Sequence, residues 1–186
     1  MSEDLPRTDR FAWWHEVTRD MVMPTLERTS HADDSTATAE VVDLGAVQII
    51  RMTYRPFGTA RTPRLVRASD PESYQISLTL RGTLRLAHAA RDVRYGAGDL
   101  VLHDSSRPFD AWAGDGDEEV RHIVARMPKY LVPVPSRLVD RLIATRIPTD
   151  EGFGELLAQF LVQVTTKARQ YTAADAPGLS TVFTDL

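Results

Sequence analysis

Apolar and polar residues alternate with a period of two along residues 74–80, where Tyr74, Ile76, Leu78 and Leu80 are separated by Gln75, Ser77 and Thr79. That period predicts a half-buried strand. Gly82 interrupts it, and Leu84 and Leu86 resume it. Val93 and Tyr95 make a third, shorter run. Gly96-Ala97-Gly98-Asp99 follows as a turn with two residues free to take positive φ, and a fourth run, 100–102, is closed by Asp104-Ser105-Ser106-Arg107-Pro108. Short strands at close spacing with turn residues between them predict an antiparallel sandwich or barrel. Upstream, residues 39–44 and 47–54 read as two strands about Gly45, and Arg55-Pro56-Phe57-Gly58 breaks the pattern. Downstream, 110–112 reads as a short strand, 114–119 as a hairpin tip and 120–127 as the last strand, while 29–38 reads as a loop or an irregular edge.

The period changes to that of a helix at both ends of the chain. Phe11, Trp14, Thr18, Met21 and Val22 share one helical face, with Thr8 or Asp9 placed to cap the helix and Pro24 to end it. On this spacing Trp14 is a core residue and Trp13 is partly exposed. Pro128, Pro133 and Pro135 stiffen a connector. Ser136 is positioned to cap a helix bearing Leu138, Val139, Leu142 and Ile143, which Pro148 ends. Phe153, Leu156, Leu157, Phe160, Leu161 and Val164 then form the clearest amphipathic stripe in the chain. Asp175 is the expected N-cap of a last helix, ahead of Pro177, with Leu179, Val182, Phe183 and Leu186 at helical spacing. No capping residue closes that helix, so the sequence reads as cut inside it, with more protein downstream.

The run YQISLTLRGTLRLAHAARDVRYGAGDLVLHDSSRPF, residues 74–109, resembles the second half of a cupin barrel, in which a Gly-x-Gly-Asp turn leads into a strand and a Pro-bearing turn. RFAWWHEV near the start and MPKYLVPVPSRLVDRL after the barrel extend the likeness from about Arg10 to the last residue. The order helix, barrel, proline-rich connector, helices resembles the N-terminal sensor domain of AraC-type bacterial transcription regulators. The resemblance implies a mainly β fold with α: a cupin-like antiparallel β-barrel (double-stranded β-helix) with one N-terminal helix and C-terminal helices. It divides the chain into an N-terminal helix packing on the barrel (1–28), the barrel (29–128), and a proline-rich connector with C-terminal helices (129–186). It further implies an effector-sensing and dimerisation domain. Its partners would be a small-molecule effector and a second copy of the chain. DNA would be met only through a C-terminal helix-turn-helix module that these residues do not contain.

Composition narrows the alternatives. The 186 residues suit one domain, and a net charge of −4 gives no global basic field for nucleic acid. Absence of cysteine excludes disulfides, thiol catalysis and zinc–thiolate sites. No apolar run approaches the roughly 20 residues of a membrane span, and the N-terminus has no signal-peptide core, so a cytoplasmic location is expected. Arg51, Arg55, Arg61, Arg64 and Arg67 form the one basic run, read as a solvated face, or as a carboxylate-binding patch if it has a role.

Metal-binding cupins use a His-x-His pair; here His88, His103 and His122 stand alone on separate segments, and His88 lies at a strand end where exposure is expected. In the acidic tip, Val120 and Arg126 occupy the positions where a calcium loop needs Gly and Glu. Ser105 and Ser106 beside His103 and Asp104 are turn chemistry, since strand neighbours point to opposite faces. No catalytic residue, metal ligand or cofactor is therefore assigned, and the chain is read as a non-enzyme. The expected ligand-binding residues are Tyr54, Tyr74, Ile76, Tyr95 and His103. Phe153, Leu157, Phe160, Leu161 and Val164 are expected to form a dimerisation face. Two other readings of the same barrel stay open: a metal-dependent cupin enzyme, such as a dioxygenase or isomerase, and an assembly module whose interior is filled by its own side chains.

Overall fold

The structure, a computed structural model, describes residues 6–29, 36–116 and 118–186. In chain order it comprises α1 (Arg7–Met21), β1 (Leu26–Arg28), β2 (Ala37–Asp43), β3 (Gln48–Tyr54), β4 (Phe57–Arg61), α2 (Pro63–Ala68) and β5 (Ser73–Arg81). Then come β6 (Thr83–His88), β7 (Arg91–Gly96), β8 (Leu100–Asp104), β9 (Phe109–Ala113) and β10 (Val120–Pro128). The C-terminal part adds α3 (Ser136–Leu142), β11 (Arg146–Ile147), α4 (Gly152–Thr166) and α5 (Ala176–Asp185).

The strands form two antiparallel sheets, one ordered β11-β8-β5-β10-β3-β2 and the other β1-β4-β9-β6-β7. From β3 onward the chain crosses between the sheets at β4, returns at β5, and crosses again at β6, β8, β9 and β10. That alternation is the double-stranded β-helix, here a cupin-like two-sheet sandwich. Gly98 makes the turn ahead of β8 at φ +88°, with its N–H donating to the Thr79 carbonyl at 2.9 Å. Gly96 takes no positive φ and instead closes β7. Phe57-Gly58, expected to break the strand pattern, lies in β4. Gly58 is needed there because a Cβ would stand 2.4 Å from a ring carbon of Trp112 on the paired strand. Of the 29–38 loop, residues 30–35 lie outside the described set, and β2 already begins at Ala37.

The helices differ from the sequence expectations mainly at their ends. α1 starts at Arg7 behind Pro6, so Asp9 lies in its first turn; the Thr8 side chain lies outside the described set. Pro135, not Ser136, occupies the N-cap of α3. α3 stops at Leu142, where the Arg91 guanidinium donates to the carbonyls of Asp140 and Arg141 at 3.1 Å and to that of Ile143. Asp175 holds the N-cap of α5, but its carboxylate accepts from the Thr172 N–H and hydroxyl, each at 2.8 Å, rather than from the helix.

The stripe on α4 corrects the dimerisation expectation. Leu157, Leu161 and Val164 are buried in the chain's own core, where α4 lies against β2, β3 and β10. Phe160 is half-buried, with its ring 6.3 Å from Phe183 of α5. Only Phe153 of the expected set is open to solvent, at 69% exposure. The outer face of the six-stranded sheet supplies enough apolar surface to take the stripe in cis.

Candidate functional site: the cavity between the sheets

Register decides which face of each strand looks inward. Gln75 pairs with His103, and Ser77 pairs with Val101 on β8 and Val124 on β10. Gln75, Ser77, His103, His122 and Val124 line a cavity of about 100 Å³ between the sheets. Tyr74, Ile76 and Leu78 alternate with them and face the opposite side. Tyr74 lies instead beneath Lys129, whose Nζ is 5.2 Å from the ring centre. Of the residues expected to bind ligand, Tyr54, Tyr95 and His103 line the cavity, and Tyr74 and Ile76 do not. The expectation placed the apolar residues of β5 toward the interior. In the structure they face away from the cavity, and the polar set turns inward.

α1 closes one side of the cavity with Trp14, Thr18 and Val22. The helix is tied down beneath by Glu27, whose buried carboxylate accepts from the Thr18 hydroxyl and lies 3.6 Å from His15 Nδ1. Burial raises the Glu27 pKa. Trp14 is 3% exposed, and its ring meets Tyr54 at 5.4 Å and Phe57 edge-on at 5.9 Å. Its indole Nε1 is buried with no hydrogen-bond partner. Buried N–H groups are rarely left so. The sequence reading placed Trp14 in the core, since helical spacing marks a cavity wall and a filled core alike.

Burial leaves the histidines uncharged. It pushes the His103 pKa down to about 3, helped by His88 and His122, and that of His122 down to about 4. Tyr54 and Tyr95 are raised by burial, so both phenols stay protonated. Tyr54 Oη and His122 Nδ1 share a hydrogen bond of 2.5 Å, whose direction follows the imidazole tautomer. Ser77 Oγ lies 3.4 Å from His103 Nε2. His88 is buried, not exposed: its Nε2 accepts from the Asp104 N–H at 3.1 Å, and its Nδ1 donates to the Pro108 carbonyl at 2.9 Å. Both His88 nitrogens are occupied by backbone, so it is no metal ligand. Among the described residues no group of three or more His, Asp or Glu side chains is placed to hold a metal ion.

The basic run does not converge on the cavity. Arg61 is 1% exposed, against the solvated face expected, and donates to the carbonyls of Ser105 at 2.7 Å, Pro24 at 2.8 Å and Ser69 at 2.5 Å. It locks three loops together. Asp104, also buried, accepts from Lys129 at 2.6 Å and Arg107 at 3.2 Å. Among the described residues no helix is long and apolar enough to cross a membrane.

The family model described as AraC-binding-like domain matches residues 14–186. The chain belongs to that family. The matched span takes in the second half of α1, both sheets and the C-terminal helices of this AraC-binding-like domain. The crystal structure of the AraC-like transcriptional activator CuxR superposes with a TM-score of 0.80 over 98% of this chain and 65% of that one. At 18% identity that likeness shows a shared fold. The transcriptional activator NphR of Rhodococcus sp is 24% identical over 106 residues, 56% of this chain and 31% of NphR. The "Uncharacterized protein in nit 5'region" of Bacillus sp. (strain OxB-1) is 22% identical over 147 residues, 79% of this chain and 56% of that protein. The chain therefore spans about half of the Bacillus protein and about a third of NphR.

Proposed function

We propose that this AraC-binding-like domain is the effector-sensing and dimerisation part of a transcription regulator. It binds a small molecule between its sheets and pairs with a second copy. The observation that carries the reading is the family match together with a wall-lined cavity that retains an unsatisfied indole N–H. The regulators NphR and CuxR are longer than this chain, so contact with DNA falls to a module beyond residues 14–186. A cytoplasmic location follows from that role, and no catalytic step is assigned to the domain. The expected pairing stripe is largely core, so the pairing surface proposed is the outer side of α4, where Phe153, Leu156 and Val162 are 69%, 51% and 39% exposed.

A thermal-shift screen of small metabolites, followed by sedimentation, tests the reading. An effector at a hundredfold its Kd adds about 2.7 kcal/mol, which for a chain of this size raises Tm by about 5–10 °C. Stoichiometric iron, zinc or manganese in purified protein, lost on His103→Ala, would replace this reading with that of a metal-dependent cupin enzyme.

A further inference from the structure

The composition of the cavity wall narrows what the proposed effector site accepts. Its boundary is mostly ring and aliphatic carbon, from Trp14, Tyr54, Phe57, Phe109 and Met52 among others. Among the described residues no Lys, Arg, Asp or Glu lines it. The buried guanidinium of Arg61 is committed to three backbone carbonyls. A charged ligand would thus be buried without a counter-ion, which costs far more than an apolar wall returns. The histidines do not change this, because both carry no charge at neutral pH.

Size sets a second limit. An apolar cavity of about 150 Å³ admits benzene, so about 100 Å³ here accommodates one ring at most without movement of the wall. Hydrogen bonding sets the third. Trp14 Nε1 is a buried donor with no acceptor among the described residues. The indole N–H of Trp14 pays a desolvation penalty that an acceptor on the ligand would relieve.

We propose that the cavity takes a small, uncharged, single-ring molecule bearing a hydrogen-bond acceptor, which the Trp14 indole N–H engages against the walls of Tyr54 and Phe57. This deepens the effector-binding reading and rests on it. The ring is held by aromatic contact and the acceptor fixes its orientation.

The test uses four probes at millimolar concentration and neutral pH: pyridine, benzene, benzoate and ribose. Binding is followed by the indole N–H resonances of the ¹⁵N-labelled chain, with Trp14 assigned through Trp14→Phe. Pyridine is expected to move the Trp14 signal downfield, benzene to bind without that shift, and benzoate and ribose to bind at least about tenfold more weakly than pyridine. Should Trp14→Phe fail to fold, the pyridine–benzene difference in the unaltered chain assigns the signal, since the two rings are isosteric and differ in the acceptor. Tighter binding of benzoate or ribose, with cavity signals moving, overturns the ligand class and leaves the effector site standing. Pyridine bound with no change at Trp14 overturns the role given to the indole. If no probe perturbs any cavity signal, both the ligand class and the reading of the cavity as an effector site fall.

Discussion

Acidification from pH 7 to pH 5 should destabilise this domain through His103 and His122. Their folded pKa values, about 3 and about 4, lie far below the ordinary 6.5 because burial disfavours the charged ring. The unfolded chain takes up a proton at each as pH falls through 6.5, while the folded chain refuses it. Stability is therefore present above pH 6.5 and is lost as pH falls below it. At pH 5 each unfolded imidazole has gained about 2 kcal/mol over its folded counterpart, or about 4 kcal/mol for the pair, at 1.36 kcal/mol per pKa unit. The result depends little on the folded values, since both lie at least one unit below pH 5. His88, also lowered by burial, adds in the same sense. Glu27 acts oppositely, because its raised folded pKa gives stability as pH falls. The lowered Asp70, Asp92 and Asp175 lose their contributions only below 3.8, outside the window. Urea unfolding at pH 7 and pH 5 on the unaltered chain, His103→Gln and His122→Gln measures the effect. Each variant should lose about half of the difference whatever its stability at pH 7. Equal pH dependence in all three proteins would refute the claim that the cavity holds neutral, desolvated histidines.

Further outcomes follow from other contacts. Arg61→Met removes three hydrogen bonds from a buried guanidinium to backbone carbonyls and should cost about 3–5 kcal/mol in urea unfolding, whereas a solvated Arg61 would give a change near zero. Gly154→Ala should destabilise the chain by about 1–3 kcal/mol despite the better helix propensity of alanine, because the added Cβ would stand 1.8 Å from the Pro148 carbonyl oxygen; a gain in Tm would reject the close approach. Gly98→Val should cost about 1–3 kcal/mol from a β-branched residue forced to positive φ, and an unchanged Tm would remove that turn. Phe153→Glu with Leu156→Glu should leave the monomer folded, since both are exposed, and weaken self-association in sedimentation; an undiminished dimer places the interface elsewhere.

Periodicity alone was enough for the central strands. Alternation along 74–80 and the Gly-Asp turn correspond to β5 and the entry to β8, and the apolar stripe of residues 153–164 corresponds to α4. These signals are local, since they depend on which neighbours in sequence share a face. β4 was illegible because Gly58 serves a close approach to Trp112, a residue distant in sequence. Arg61 likewise gave no sign of burial, for its three acceptors come from separate loops. The candidate site shows the limit most directly. The alternation in β5 showed two unlike faces but not which of them looks into the sandwich, because tertiary packing and not sequence neighbours makes that choice. It turned Tyr74 and Ile76 away from the cavity and brought Gln75 and Ser77 to it. Long-range pairing in the same sheet set His122 beside Tyr54, and only the closed fold deprived Trp14 of a partner for its N–H.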